Sequence, residues 1–517
     1  MMARYKDYCY EQSKLIPIAF SKQIHAGTFE YTLSYLVDHV VDMSVFDERF
    51  HNDETGAPAY DPAVLLKIIL FAYSRGILSS RGIEQACREN VVFMALSADS
   101  QPHYTTLAHF ISSMGDVIEP VFRDVLLYCD EMGLIGKEMF AIDGCKLPSN
   151  ASKEWSGTKS ELLNKRKKLE RAVSRMLKQH RERDAGGLDA SIEAKEKQYR
   201  QKLRGHIAKL DDWLLISEDK IGKSGKPIKS NVTDNESAKM KTSHGIIQGY
   251  DGVAAVDAKH QIIVHAKAYG QAQEHDLLLP MVDGIDATFK AIGEKQIFQK
   301  VKLTADSGFH NAANLQQLHE RQIEAYIADN QMRKRDPRFI NTDKYRARTR
   351  KEKQAFLGSN TSKTFSNQDF DYDKDKQTCV CPVGKSLYRS GSNINMKGYL
   401  ANKFKGTVRD CVPCPHRHKC LKFPDRTRVR QVAFFHGHTD KQKHSLTEKM
   451  RKKIDSALGK LIYDKRVGTV EPVFGNHRNH GRDRFTLRGE VKVNTQWLLY
   501  SIVHNMGKIH RYGDGFT

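Results

Sequence analysis

Apolar residues recur at helical spacing near the start of the chain. Val64, Leu65, Ile68, Ile69 and Ala72 line one face, Asp61-Pro62 provides an N-cap with proline at the first helical position, and Gly76 follows the last turn. Ser79 to Met94 and Thr105 to Met114 carry two more helical patterns, with the turn Ser97-Ala-Asp-Ser-Gln-Pro102 between them. Residues 1–135 therefore predict a helical domain. The pattern suits both a helix-turn-helix that reads DNA and a plain helical bundle.

The texture then changes. Met139-Phe-Ala-Ile-Asp143 predicts a short strand that ends in an acid. Residues 153–228 are strongly charged, but Leu162, Leu169, Val173 and Met176, then Leu203, Ile207, Leu210 and Leu214, keep a narrow apolar seam on either side of Gly186-Gly187. That spacing predicts an antiparallel helical hairpin whose many cations form a solvated face. From about residue 230 strand-like runs return: Gly252 to Asp257, Gln261 to Ala266, Val301 to Asp306 and Glu324 to Ala328, with helical stretches at His275–Ile285 and Ala312–Arg321. This order predicts a mixed α/β sheet, with Asp143 and Asp306 at strand ends.

Residues 331–440 are polar and read as an insertion. Ser445 to Arg466 predicts an amphipathic helix, and Thr469 a cap that starts a new one, with Val470, Glu471 and Pro472 in its first turn, where proline is tolerated. Glu471 and Arg478 would share a face of that helix. Gln496 to Ile509 predicts an apolar helix packed on the sheet.

Charge adds a partner. The 517 residues carry 83 − 62 = +21 charges, interleaved with 39% hydrophobic residues rather than confined to a tail. Such an excess points to a polyanion, nucleic acid first, and otherwise to a merely basic protein. The N-terminus has no apolar run of signal-peptide length, and the run Val64 to Leu78 is broken by Lys67, Ser74 and Arg75. A cytoplasmic protein is expected, with its nine cysteines reduced.

The candidate chemistry lies in three acids. Asp143 and Asp306 follow apolar runs, and Glu471 sits near the basic run Arg478, Arg482, Arg484, Arg488. Asp143-Gly144 and Asp306-Ser-Gly308 are also ordinary turn sequences. Taken together, three carboxylates beside phosphate-binding cations can hold two divalent ions, Mg²⁺ or Mn²⁺, for phosphoryl transfer. Metal-activated water needs no general base, so His244, His477 and His480 are expected as phosphate contacts or solvent-exposed groups. Five cysteines cluster as Cys379-x-Cys381-Pro-x-Gly and Cys411-x2-Cys414-x5-Cys420. Cys381, Cys411, Cys414 and Cys420 suit one tetrahedral structural Zn²⁺, with Cys379, His416 and His418 as substitutes.

Four segments carry a family resemblance: Asp61-Pro-Ala-Val-Leu-Leu-Lys with its following helices, Ala141-Ile-Asp-Gly-Cys-Lys, Thr304-Ala-Asp-Ser-Gly-Phe, and Arg466-Val-Gly-Thr-Val-Glu-Pro-Val-Phe-Gly through Arg484-Phe-Thr-Leu-Arg-Gly. The chain resembles bacterial insertion-sequence transposases of the DDE type, most closely insertion-sequence family eleven-eighty-two, in the group with a Tyr-Arg-Glu-Lys signature. The resemblance implies a ribonuclease-H-like α/β catalytic core with Asp143, Asp306 and Glu471 as the catalytic, metal-binding triad. Tyr463, Arg466 and Arg478 fall at the other signature positions. Arg478 stands where Lys is usual, and the gap from Arg466 to Glu471 is one residue longer than in the best-known members. Combined with the insertions read from the residues, the expected organisation is a DNA-binding-like helical domain (1–135), a core in three pieces (136–152, 229–330 and 441–517), a helical-hairpin insertion (153–228) and a cysteine-rich, zinc-ribbon-like insertion (331–440). The implied activity is cleavage at element ends and strand transfer into target DNA, by a homodimer on double-stranded DNA. Tyr463, Arg466, Arg478, Arg482, Arg484 and Arg488 are the expected DNA-binding residues, the arginines holding phosphates. A nuclease or resolvase without strand transfer, and a non-catalytic DNA-binding protein, are the alternatives.

Overall fold

A computed structural model describes residues 19–49, 58–183, 190–222, 225–243, 245–340, 364–396, 398–438 and 445–516. The chain divides into two compact units, one of Met1–Phe309, Gln317–Ile327 and Leu461–Thr517, the other of His310–Gln316 and Ala328–Lys460.

The first unit opens with helices α1 (Phe29–His39), α2 (Pro62–Ser74), α3 (Ser80–Glu89), α4 (Val91–Leu96), α5 (Tyr104–Ser113) and α6 (Ile118–Glu131). Asp61 caps α2 by accepting from the Ala63 N–H, with Pro62 behind it as its pattern predicted. The single helix expected over Ser79–Met94 is instead two. Asn90 turns the chain out of α3 and accepts from the N–H groups of Val92 and Phe93, so it starts α4 anew.

Next come β1 (Met139–Pro148), α7 (Lys159–Arg183), α8 (Ala190–Ile216), β2 (Ala238–Thr242), β3 (Gly245–Asp257), β4 (Ile263–Tyr269), α9 (Leu278–Ala291), β5 (Lys302–Ala305), α10 (Ala312–Glu320) and β6 (Ala325–Ile327). Helices α7 and α8 form the expected hairpin, and Leu162, Val173, Leu203 and Leu210 of its seam are buried, joined by Trp213. The Gly186-Gly187 break lies outside the described residues. The six strands form one mixed sheet in the order β6-β5-β1-β3-β2, with β4 also paired to β3. β1 runs antiparallel to β3 and parallel to β5, and β6 is parallel to β5. β1 is ten residues long, so Asp143 lies in mid-strand and not at the strand end the sequence predicted. The ladder to β3 continues past it through Pro148, opposite Gly249.

The chain ends with α11 (Leu446–Asp455), α12 (Ala457–Asn479) and α13 (Glu490–Tyr512). α13 packs on the sheet, as expected. Trp497 Nε1 donates to Val253 O at 3.0 Å, and Asn505 bonds both the N–H and the carbonyl of Ile263 at 2.9 Å. No new helix starts at Thr469. α12 runs straight through it and contains Pro472. The Thr469 hydroxyl donates back to Lys465 O at 2.8 Å, and the Gly468 carbonyl, which proline cannot serve, accepts from Gln261 Nε2 at 2.9 Å.

The second unit contains a five-stranded antiparallel sheet, β7 (Asp371–Asp373), β8 (Thr378–Val380), β9 (Ser386–Met396), β10 (Tyr399–Lys405) and β11 (Gln431–His438), in chain order. It has its own core of Phe370, Cys379, Leu387, Phe404 and Val432. Among the described residues no helix is long and apolar enough to cross a membrane.

Candidate active site

The sheet itself brings two of the three acids together. Ile142 of β1 pairs with Ala305 of the parallel strand β5. Asp143 is the next residue of β1 and Asp306 the first residue past the end of β5, so the ladder delivers the two acids close together. Two carboxylates so placed repel, and the fold supplies one cation for both. Arg466 of α12 reaches Asp143 Oδ2 at 2.8 Å and Asp306 Oδ1 at 3.8 Å.

The electrostatics follow from burial. Asp143 is pushed up to about 6, mainly by burial and further by Asp306, while Arg466 and the Gly144 N–H pull it down. Burial works against the charge on Arg466, yet Asp143, Tyr463 and Asp306 hold its pKa above the ordinary value. The guanidinium lies 5.6 Å from the centre of the Tyr463 ring.

Glu471 lies five residues further along α12 and is exposed. Seven residues beyond it, on the same helix face, Arg478 donates to Cys145 Sγ at 3.3 Å. Arg466 and Arg478 thus meet alternate residues of β1, Asp143 and Cys145, which share one face of the sheet. Along the helix axis Glu471 falls between these two contacts.

A second charged group, absent from the sequence reading, occupies the other face of β1. Lys146 pairs with Glu274. Asp251, opposite Lys146 in the ladder, is fully buried with neither carboxylate oxygen hydrogen-bonded. Its pKa is pushed up to about 7 by burial first and by Glu274 next, with Lys146 acting against them. Gly144 makes room for it, since a Cβ there would lie 2.7 Å from Asp251 Oδ1. The sequence signal is an acid inside the strand Tyr250-Asp-Gly.

The expected phosphate-binding residues separate. Arg478, Arg484 and Arg488 are exposed, and Arg488 donates to Asn150 O at 2.7 Å. Arg466 and Arg482, by contrast, are buried. Arg466 is 5% exposed and bound to the two acids. Arg482 is 2% exposed, donating to His477 Nδ1 at 3.1 Å and Tyr73 O at 3.0 Å. Tyr463 is buried beneath Arg466. His477 is also corrected from a surface group to a buried one. Burial, with Arg482 next, drives its pKa far below the ordinary range, which leaves a neutral ring that accepts from Arg482. His480 is exposed, and His244 lies outside the described residues.

In the second unit Cys379 is buried in the sheet core, and Cys381, Cys411, Cys414 and Cys420 are half-buried free thiols. His416 and His418 are exposed. Among the described residues, no three or more His, Cys, Asp or Glu side chains are placed as a group that could hold a metal ion.

Residues 380–510 match the family model of a transposase DDE domain, and residues 19–113 match that of a transposase domain (DUF772). Among curated proteins none matches. The two matches indicate a transposase. The DDE match contains Glu471 and begins after Asp143 and Asp306.

Proposed function

We propose that the chain is an insertion-sequence DDE transposase that uses Asp143, Asp306 and Glu471 to cleave DNA at element ends and to join the freed 3′-OH to target DNA. One observation carries the reading. Asp143, in β1, and Asp306, the residue that follows the parallel strand β5, are bridged by a guanidinium from the helix that bears Glu471. The strand order supports a ribonuclease-H-like core: read as β4-β3-β1-β5-β6, its first three strands are antiparallel neighbours and the last two run parallel to β1. The placement in family eleven-eighty-two rests on the four motif segments.

The donor set fits a hard divalent ion. Carboxylate oxygens suit Mg²⁺ or Mn²⁺, and the cation that Arg466 supplies between Asp143 and Asp306 marks where the fold needs positive charge. Two such ions, when bound, would lower the pKa of an attacking water and stabilise the leaving 3′ oxygen. Asp143, Asp306 and Glu471 would hold them. Asp143 is fixed by its strand and by the Gly144 N–H at 2.8 Å. Arg466 keeps the two aspartates apart in charge, and Arg478, Arg484 and Arg488 offer exposed cations for the phosphates of double-stranded DNA. Joining two element ends calls for a homodimer on DNA.

The test is Glu471→Gln, which keeps size and loses charge. Mg²⁺-dependent cutting should fall by more than the roughly 10–100-fold seen for the loss of an outer-shell metal partner, with DNA binding by gel shift unchanged. Cutting near the wild-type rate would move the third acid to Asp464 or Asp483, both exposed nearby. Loss of binding together with cutting would make Glu471 structural. Cutting without joining on a two-substrate assay would identify a nuclease.

A further inference from the structure

The second unit has a cavity of about 290 Å³ whose wall includes Cys381, Cys411, Cys414 and Cys420. We propose that these four thiols are a structural zinc site that fastens the loops after β10 to the β8–β9 hairpin. The inference is independent of the carboxylate site.

Three observations carry it. First, Cys381-Pro-Val-Gly384-Lys385 folds as a tight knuckle. Cys381 N–H donates to Lys385 O and Gly384 N–H to Cys381 O, each at 2.8 Å, and Gly384 takes φ +78°. This turns the Lys385 N–H onto Cys381 Sγ at 3.4 Å. A backbone donor aimed at sulfur stabilises a thiolate, the form that ligates metal. Second, the four sulfurs are neighbours. Cys381, Cys411, Cys414 and Cys420 all line the one cavity, and no disulfide joins them. Third, the loops that carry them are braced at the backbone. Arg417 donates to the carbonyls of Cys411, Pro424, Thr427 and Arg428 at 2.7–2.9 Å. Arg430 donates to Cys420 O at 3.0 Å and Phe365 O at 2.9 Å.

Four thiols crowded beside two guanidinium braces fit a soft divalent ion and suit neither Mg²⁺ nor Ca²⁺. The four cysteines line the cavity, and as placed they do not form a group that could hold a metal ion. Ligation at about 2.3 Å would draw its walls together, which couples zinc to the stability of this unit. Cys379 is excluded, because its side chain is in the sheet core.

The experiment is elemental analysis of the purified full-length protein, with thiol mapping by alkylation and mass spectrometry. About one zinc per chain is expected. Cys414→Ser should lower zinc content more than tenfold, and Cys379→Ser and His418→Ala should leave it unchanged. On the wild-type chain, which avoids any folding failure of Cys414→Ser, these four cysteines should alkylate only after zinc is removed by a chelator. Zinc below a tenth per chain, iron in its place, a Cys411–Cys414 disulfide, or alkylation indifferent to chelator would each overturn the proposal.

Discussion

At the scale of the residue, Asp251 is the most unusual group in the first unit. A carboxyl with no hydrogen-bond partner in a dry site is costly when ionised. Its pKa moves from 3.8 to about 7 through burial, then Glu274, with Lys146 opposing and Asp143 adding a little. The raised value fixes the sign. Between about pH 4 and pH 7 the folded chain keeps a proton that the unfolded chain has released, so this group's contribution is present in acid and lost as pH rises through 7. Asp251→Asn removes the ionisation and keeps the shape. We expect it to raise the urea midpoint relative to wild type at pH 8, and the gap to be clearly smaller at pH 5, closing only below about pH 4 where the unfolded carboxyl also takes up its proton. An equal gap at both pH values would mean that Asp251 is ionised throughout, neutralised by Lys146. Nothing in the local sequence marks Asp251, because Lys146 and Glu274 lie far from it along the chain and only the β1–β3 register and the turn before α9 bring them near.

At the scale of the element, α12 shows how a helix tolerates an internal proline. Pro472 removes the donor for Gly468 O, and Gln261, just before β4, supplies one from outside the helix. The substitution pair tests this. Gln261→Ala should cost about 1 kcal/mol of stability in the wild-type chain and clearly less in a Pro472→Ala background, where the new N–H can serve Gly468. Equal costs in the two backgrounds would show that the Gln261 bond carries nothing. Proline and a cap-forming threonine together read as a helix start. That expectation failed because capping rules weigh only local donors, and the compensating donor is some 207 residues away. The same local rule failed in reverse at Asn90, an ordinary helix position by pattern that instead caps α4.

At the scale of the whole molecule, a charge of +21 sets how the protein should meet a polyanion. Binding to duplex DNA should weaken linearly in log salt, with a slope of about 0.9 per phosphate neutralised. Arg478→Ala and Arg484→Ala, both at exposed positions, should each flatten that slope by about one unit across a salt titration. Unchanged slopes would place the DNA elsewhere on the surface. The sequence by itself determined the α/β character of the chain, the helical hairpin, the helix that packs on the sheet, and two aspartates following apolar runs, because periodicity and caps are local. It also separated the cysteine cluster from the rest. Only the tertiary structure decided which cations face water. Arg466 and Arg482 were expected to hold phosphates like Arg478 and Arg484, yet one is drawn in by two carboxylates and the other by a histidine and the end of α2. Burial depends on what packs across a helix, and apart from His477 those partners, Asp143, Asp306 and Tyr73, lie more than a hundred residues away.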